Sequence, residues 1–192
     1  MPDYALILAS NSPRRRELLE QAGIKYVADP AHVDETALPG ETPEDHVRRL
    51  ALFKAETTAK RHASGLVLGA DTVVVVDGEI LGKPADEADA VRMLGLISGR
   101  SHEVITGVAL YDAATGRSAV SYESTVVRVR ALTPGEIAEY VATGEPMDKA
   151  GAYGIQGRAA IFVEGVTGCF FNVVGLPLAL TDKMVRDFLG RG

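Results

Sequence analysis

The sequence predicts an α/β fold: a mixed, twisted sheet flanked by helices. Three observations predict it. Short apolar runs at 4–9 and 66–76 alternate with helical segments at 13–22 and 42–62, the alternation expected of a layered α/β chain. Asp77-Gly78 directly follows a valine run and marks a hairpin turn. Two long strand-like stretches, 101–111 and 118–130, are joined only by Asp112-Ala113-Ala114-Thr115-Gly116. Hairpins therefore share the sheet with longer connections, and the sheet is mixed, not purely parallel.

Each element has its own signal. Tyr4–Ala9 is a short apolar run that reads as a buried strand. Ser10–Ser12 form a polar turn, and Pro13 suits the first turn of a helix, where its missing N–H costs nothing. Leu18, Leu19 and Ala22 give that helix an apolar face, with Gly23 as its terminator. A strand is expected near 25–28, then a polar loop at 29–41 that holds Asp34-Glu35. Thr42-Pro43 opens a long helix expected to reach His62. Leu66–Ala70 and Thr72–Val76 are strand-like on either side of Asp71. Asp86–Ile97 reads as a helix ended by Ser98-Gly99. Thr133-Pro134-Gly135-Glu136 is a capping box with Pro at the first helical position, and its helix runs to Val141. The Gly-rich stretch 150–168 carries strand-like pieces, and Leu176–Leu189 closes the chain as a helix.

Composition sets limits. The chain has 192 residues, 46% of them hydrophobic, enough for one domain with a substantial core or two small lobes. A net charge of −6 argues against nucleic-acid binding through a broad basic surface. The single cysteine, Cys169, excludes an intramolecular disulfide and a Cys-based zinc site, and reads as a small buried hydrophobe. No apolar run reaches the roughly 18 residues of a spanning helix, and the first residues lack a basic signal-peptide region. The expectation is a cytoplasmic protein that binds no membrane.

The residues that carry chemistry centre on Asp71, one carboxylate inside the apolar run Leu68–Val76. An Asp there requires a cation, a hydrogen-bond network or a shifted pKa. Metal binding or general-base work is one reading, a turn residue the other. Arg14 and Arg15 fall at a predicted helix N-terminus, where cations are unfavourable unless an anion reverses the local sign. With the hydroxyls of Ser10 and Ser12 they form a candidate phosphate site; the alternative is a solvated basic surface. Lys54 shares a helical face with Val47, Leu50 and Ala51, and either snorkels to solvent or meets a phosphate. Lys83, held extended by Pro84, is a phosphate ligand or a surface lysine. Mg²⁺ is rarely held by one Asp, and Glu35 is the candidate second carboxylate, or else a loop surface acid. No GxxxxGK[ST], HExxH or GxSxG motif occurs, and the four histidines show no metal-ligand spacing.

Together the motifs resemble the Maf family of nucleoside triphosphate pyrophosphatases. The resemblance rests on LASNSPRRRELL at 8–19, VDE at 33–35, RLALFKA at 49–55, GADTVV at 69–74, LGKP at 81–84, SGRSHEVITGV at 98–108, DKAGAYGIQG at 148–157 and FNVVGLPL at 171–178. It implies a single domain over 1–192 with two lobes and a cleft between them, in the manner of Maf and ITPase proteins, and a homodimer. It implies hydrolysis of the α–β phosphate bond of a nucleoside triphosphate with a divalent cation, Mg²⁺ or Mn²⁺. The family's catalytic Asp falls on Asp71, its phosphate-handling residues on Ser10, Arg14, Arg15, Lys54 and Lys83, and its motif acid on Glu35, a metal ligand with Asp71. The segments at 98–108 and 148–157 are similar to the branch acting on dTTP and UTP, whose specificity positions fall on Arg14, Thr72 and Gln156. Two alternatives stand beside this: a non-catalytic nucleotide sensor in cell division or septum formation, and a pyrophosphatase for modified nucleotides such as 7-methyl-GTP.

Overall fold

Burial on both faces makes β1 (Leu6–Leu8) an inner strand: all three residues are almost fully buried. It pairs in parallel with β2 (Tyr26–Ala28) on one side and with β3 (Leu66–Val76) on the other. The computed structural model describes residues 6–190, so Tyr4 and Ala5 of the expected first strand lie outside the described residues. Between β1 and β2 runs α1 (Pro13–Gln21), and between β2 and β3 runs α2 (Pro43–Ala59). The strand–helix–strand connections are what make these pairs parallel.

Among the described residues the sheet has seven strands in the order β2-β1-β3-β5-β6-β7, with β4 (Glu79–Leu81) paired to β3. The remaining strands are β5 (Ser101–Asp112), β6 (Ser118–Val129) and β7 (Val163–Thr167). Antiparallel pairing of β3 with β4 places Val74 opposite Leu81 across the Asp77-Gly78 turn, and β6 pairs antiparallel with β7. The mixed sheet is thus as expected. The other helices are α3 (Glu87–Ile97), α4 (Pro134–Val141), α5 (Phe170–Val174) and α6 (Leu178–Phe188).

Several boundaries differ from expectation. β3 is continuous through Asp71, where two shorter strands were expected. α2 ends at Ala59, and 60–62 form turns back onto Thr58 and Ala59. One 3₁₀ turn, Glu145–Asp148, precedes the Gly-rich stretch, which itself yields two more, Ala150–Ala152 and Arg158–Phe162, before the single strand β7. The glycines of the stretch, and Pro146 just before it, favour tight turns over a paired strand. The short helix α5 is unexpected, and Cys169 just before it is half-buried, not fully buried.

The chain forms two compact units. The first comprises the residues up to Asp71, Thr106–Glu123 and the residues from Gly175 on; the second comprises Thr72–Ile105 and Ser124–Val174. In the first unit, Ile7, Ala9, Ala51, Ala55, Ala59, Val67 and Ala109 form a core of mostly small side chains. Small side chains let α2 approach the strands closely. A methyl group on Gly69 of β3 would lie 2.1 Å from the Ala51 carbonyl oxygen, and one on Gly107 of β5 would lie 2.2 Å from that of Val47. Only glycine fits under the α2 backbone at those two positions.

In the second unit, α3 and α4 lay Ala90, Met93, Leu94, Ile97, Ile137 and Tyr140 into a larger core with Val74, Leu81 and Phe162. Thr133 caps α4 in the expected box with Glu136. Within this core His102 is 3% exposed and meets the Tyr153 hydroxyl at 2.8 Å, ring edge to ring face. Burial lowers the His102 pKa from 6.5 to about 4, so the imidazole is neutral at pH 7. An unfolded chain therefore binds more protons than the folded one between those values. The contribution of neutral His102 is full above pH 6.5 and lost as the pH falls through about 4. His102→Phe should flatten the decline of stability across that interval, as followed by urea unfolding at stepped pH.

Candidate active site

The first unit gathers charged residues around one ammonium group. Lys54 lies on the buried face of α2, with Val47, Leu50 and Ala51. It does not snorkel: the residue is 7% exposed. Gly69 and Asp71 share one face of β3 by strand alternation. Ala51 lies one turn before Lys54 on α2. The close approach at Gly69 therefore carries Lys54 to Asp71, and Lys54 Nζ donates to Asp71 Oδ1 at 2.6 Å. The same nitrogen is 2.6 Å from Glu35 Oε1 in the 29–41 loop. The Asp71 side chain is 10% exposed and that of Glu35 50%. Asp71 is thus a paired carboxylate within a strand, and the turn-residue reading is excluded.

At the start of α1, Ser12 occupies the N-cap without a side-chain cap bond, and the first turn holds no acid. Ser10 is buried, and its hydroxyl accepts from the Ser12 N–H at 3.2 Å and from Arg15 Nη1 at 3.1 Å. Arg15 Nε donates to the Gly175 carbonyl at 2.8 Å. Burial lowers the Arg15 pKa, while the charge of Asp71 opposes that shift; a guanidinium stays protonated regardless. Arg14 and Glu35 also act on Arg15 through their charges, so Ser10, Arg14, Arg15, Glu35, Lys54 and Asp71 form one electrostatic group.

The loop carrying Glu35 is braced from α2. Arg49 donates to both oxygens of Glu41, at 2.5 and 2.8 Å, and to the Thr36 carbonyl at 3.1 Å. Glu41 also accepts from the Leu38 N–H at 3.1 Å and meets His46 Nδ1 at 3.1 Å. Neither Glu41 nor Arg49 stands out in the sequence as functional. The available signal was an acid just before the Thr42 cap, followed by His46 and Arg49 three residues apart.

The other expected positions belong to the second unit. Thr72 is half-buried on β3. Lys83 is exposed after β4, and the neighbouring Gly82 carbonyl accepts from the Gly151 N–H at 3.0 Å. Gln156 is exposed in a turn closed by Gly157 N–H to the Gly154 carbonyl at 2.9 Å.

The Maf-like protein family profile matches residues 5–188. The chain belongs to the Maf family. Three curated relatives of this Maf protein bear the name dTTP/UTP pyrophosphatase. The one from Symbiobacterium thermophilum is 56% identical over 183 residues, 95% of this chain and 93% of its own. Those from Syntrophomonas wolfei and Moorella thermoacetica are 54% and 51% identical, covering 93% and 95% of this chain and 94% of each of theirs.

Hydrogen bonds from Arg49 hold the Glu41 pKa at about 2, well below its ordinary 4.5. The bonded carboxylate thus stabilises the fold above pH 4.5, and that contribution disappears as the pH falls through about 2. Glu41→Gln should lower stability at pH 7 by about 1–3 kcal/mol and shrink the acid-side loss, again by urea unfolding.

Proposed function

We propose that this chain is a dTTP and UTP pyrophosphatase, adding water across the α–β anhydride bond to give the monophosphate and pyrophosphate. The observation that carries the reading is the Lys54 ammonium set between Asp71 and Glu35 next to Arg15 and Ser10. The names of the relatives at 51–56% identity support the choice of dTTP and UTP.

Two carboxylates against one ammonium leave an excess of negative charge. A polyphosphate enters such a site only with further cations. Arg14 and Arg15 supply two, and a divalent metal is the proposed third. Asp71 and Glu35 each place a carboxylate oxygen 2.6 Å from Lys54 Nζ, so two hard oxygen donors lie close together, the donor type that Mg²⁺ or Mn²⁺ takes alongside waters and phosphate oxygens. Among the described residues no group of three or more His, Cys, Asp or Glu forms a protein-only cage. Two carboxylates leave most of an octahedral shell to waters and phosphate oxygens, the usual manner of Mg²⁺. When bound, such an ion neutralises phosphate charge and acidifies water.

The chain's own residues have these roles in the proposal. Arg14, Arg15 and the Ser10 hydroxyl bind phosphate oxygens. Lys54 and Lys83 offset the charge that develops on the departing pyrophosphate. Asp71 accepts the proton of the attacking water. Gln156 presents an amide, donor and acceptor at once, to a uracil or thymine edge.

Asp71→Asn should reduce pyrophosphate release from dTTP and UTP by about 10²–10⁴-fold with an unchanged circular-dichroism spectrum. Wild-type release should cease in EDTA and return with Mg²⁺. Near-normal turnover in Asp71→Asn overturns the catalytic assignment, and tight UTP binding by the wild type without product overturns the activity.

A further inference from the structure

The second unit contains a carboxylate that the proposed mechanism does not use. Glu145 follows α4 in the first 3₁₀ turn and is half-buried. Its Oε1 and Oε2 accept the Arg158 backbone N–H at 3.0 and 3.2 Å, and its Oε1 accepts the Tyr140 hydroxyl at 2.9 Å. Tyr140 is itself 3% exposed, and its hydroxyl accepts from the Gly154 N–H at 3.3 Å. Lys149 Nζ donates to the Glu145 carbonyl at 2.7 Å. A methyl group on Gly157 would lie 2.1 Å from Glu145 Oε1, so the chain there runs directly against the carboxylate.

These contacts enclose the turn from Gly154 to Gly157 on both sides, and Gln156 is its exposed third residue. A surface turn of this length, rich in glycine, has little rigidity of its own. Here a buried tyrosine and a carboxylate fix where it begins and ends.

We propose that Glu145 is the positioning residue for base selection, fixing the Gly154–Gly157 turn so that the Gln156 amide is held ready for a uracil or thymine ring. The inference rests on the reading of Gln156 as the base-reading residue. It separates two jobs: Glu145 acts on recognition of the base through Gln156 and not on the triphosphate chemistry.

The test is steady-state kinetics of pyrophosphate release from UTP and GTP, with inorganic tripolyphosphate as a base-free competitive inhibitor. Glu145→Ala should raise the KM for UTP about tenfold, lower the preference for UTP over GTP, and leave kcat and the tripolyphosphate Ki within about twofold. Glu145→Gln, which keeps an acceptor oxygen, should recover part of the loss. In a Gln156→Ala background Glu145→Ala should have no further effect on KM. Should Glu145→Ala fail to fold, Tyr140→Phe removes a single hydroxyl from the same cluster and should raise the KM for UTP in the same selective way. An unchanged KM, an equal loss in the Gln156→Ala background, or a matching rise in the tripolyphosphate Ki overturns the inference alone. A wild-type protein that leaves UTP intact overturns the activity and the inference together.

Discussion

Everything at the candidate site depends on one buried ammonium group shared by two carboxylates. Lys54 is carried to Asp71 by a helix that lies almost in backbone contact with β3, and that contact requires glycine at position 69. A buried ion pair contributes little net stability, because desolvation offsets most of the attraction, yet removing one partner leaves an uncompensated charge costing about 3–5 kcal/mol. Such an arrangement is poorly explained as scaffolding. It makes sense as a site whose charges are held ready for a ligand carrying still more charge.

The same building device occurs twice, once in each unit. In the first, Glu41 accepts the Leu38 N–H and two bonds from Arg49, and so braces the loop that carries Glu35. In the second, Glu145 accepts the Arg158 N–H and the Tyr140 hydroxyl, and so braces the turn that carries Gln156. Glu35 and Gln156, to which we propose functional roles, both stand on loops, where sites are commonly found. In both cases a carboxylate bonded to loop backbone supplies the rigidity that the loop lacks. Neither carboxylate reaches the chemistry directly in this account.

Local signals made much of the fold legible. Pro13 and Thr42-Pro43 open their helices where expected, Thr133 and Glu136 form their box, and Asp77-Gly78 turns the hairpin. What escaped was set by distant partners. β3 reads as two pieces because Asp71 interrupts an apolar run, and the lysine that satisfies it comes from another element, 17 positions earlier. The 3₁₀ turns of 145–162 escaped because their glycines permit many conformations, and the choice among them falls to Tyr140, Glu145 and Lys149. At the site, residue types pointed to Asp71 and the Arg14–Arg15 pair and left Lys54 and Glu35 open until the family resemblance, and nothing pointed to the sharing of one ammonium by two acids or to Arg49 and Glu41 behind them. Pairing of this kind is tertiary and leaves no periodic trace in a sequence.

We propose that Lys54 and Asp71 work as one unit in breaking the α–β phosphate bond. A double-mutant cycle on kcat/KM for pyrophosphate release from UTP, using Lys54→Met, Asp71→Asn and their combination, addresses it directly. Strong non-additivity is expected, with the double variant scarcely slower than the slower single one. Losses that multiply independently would contradict it.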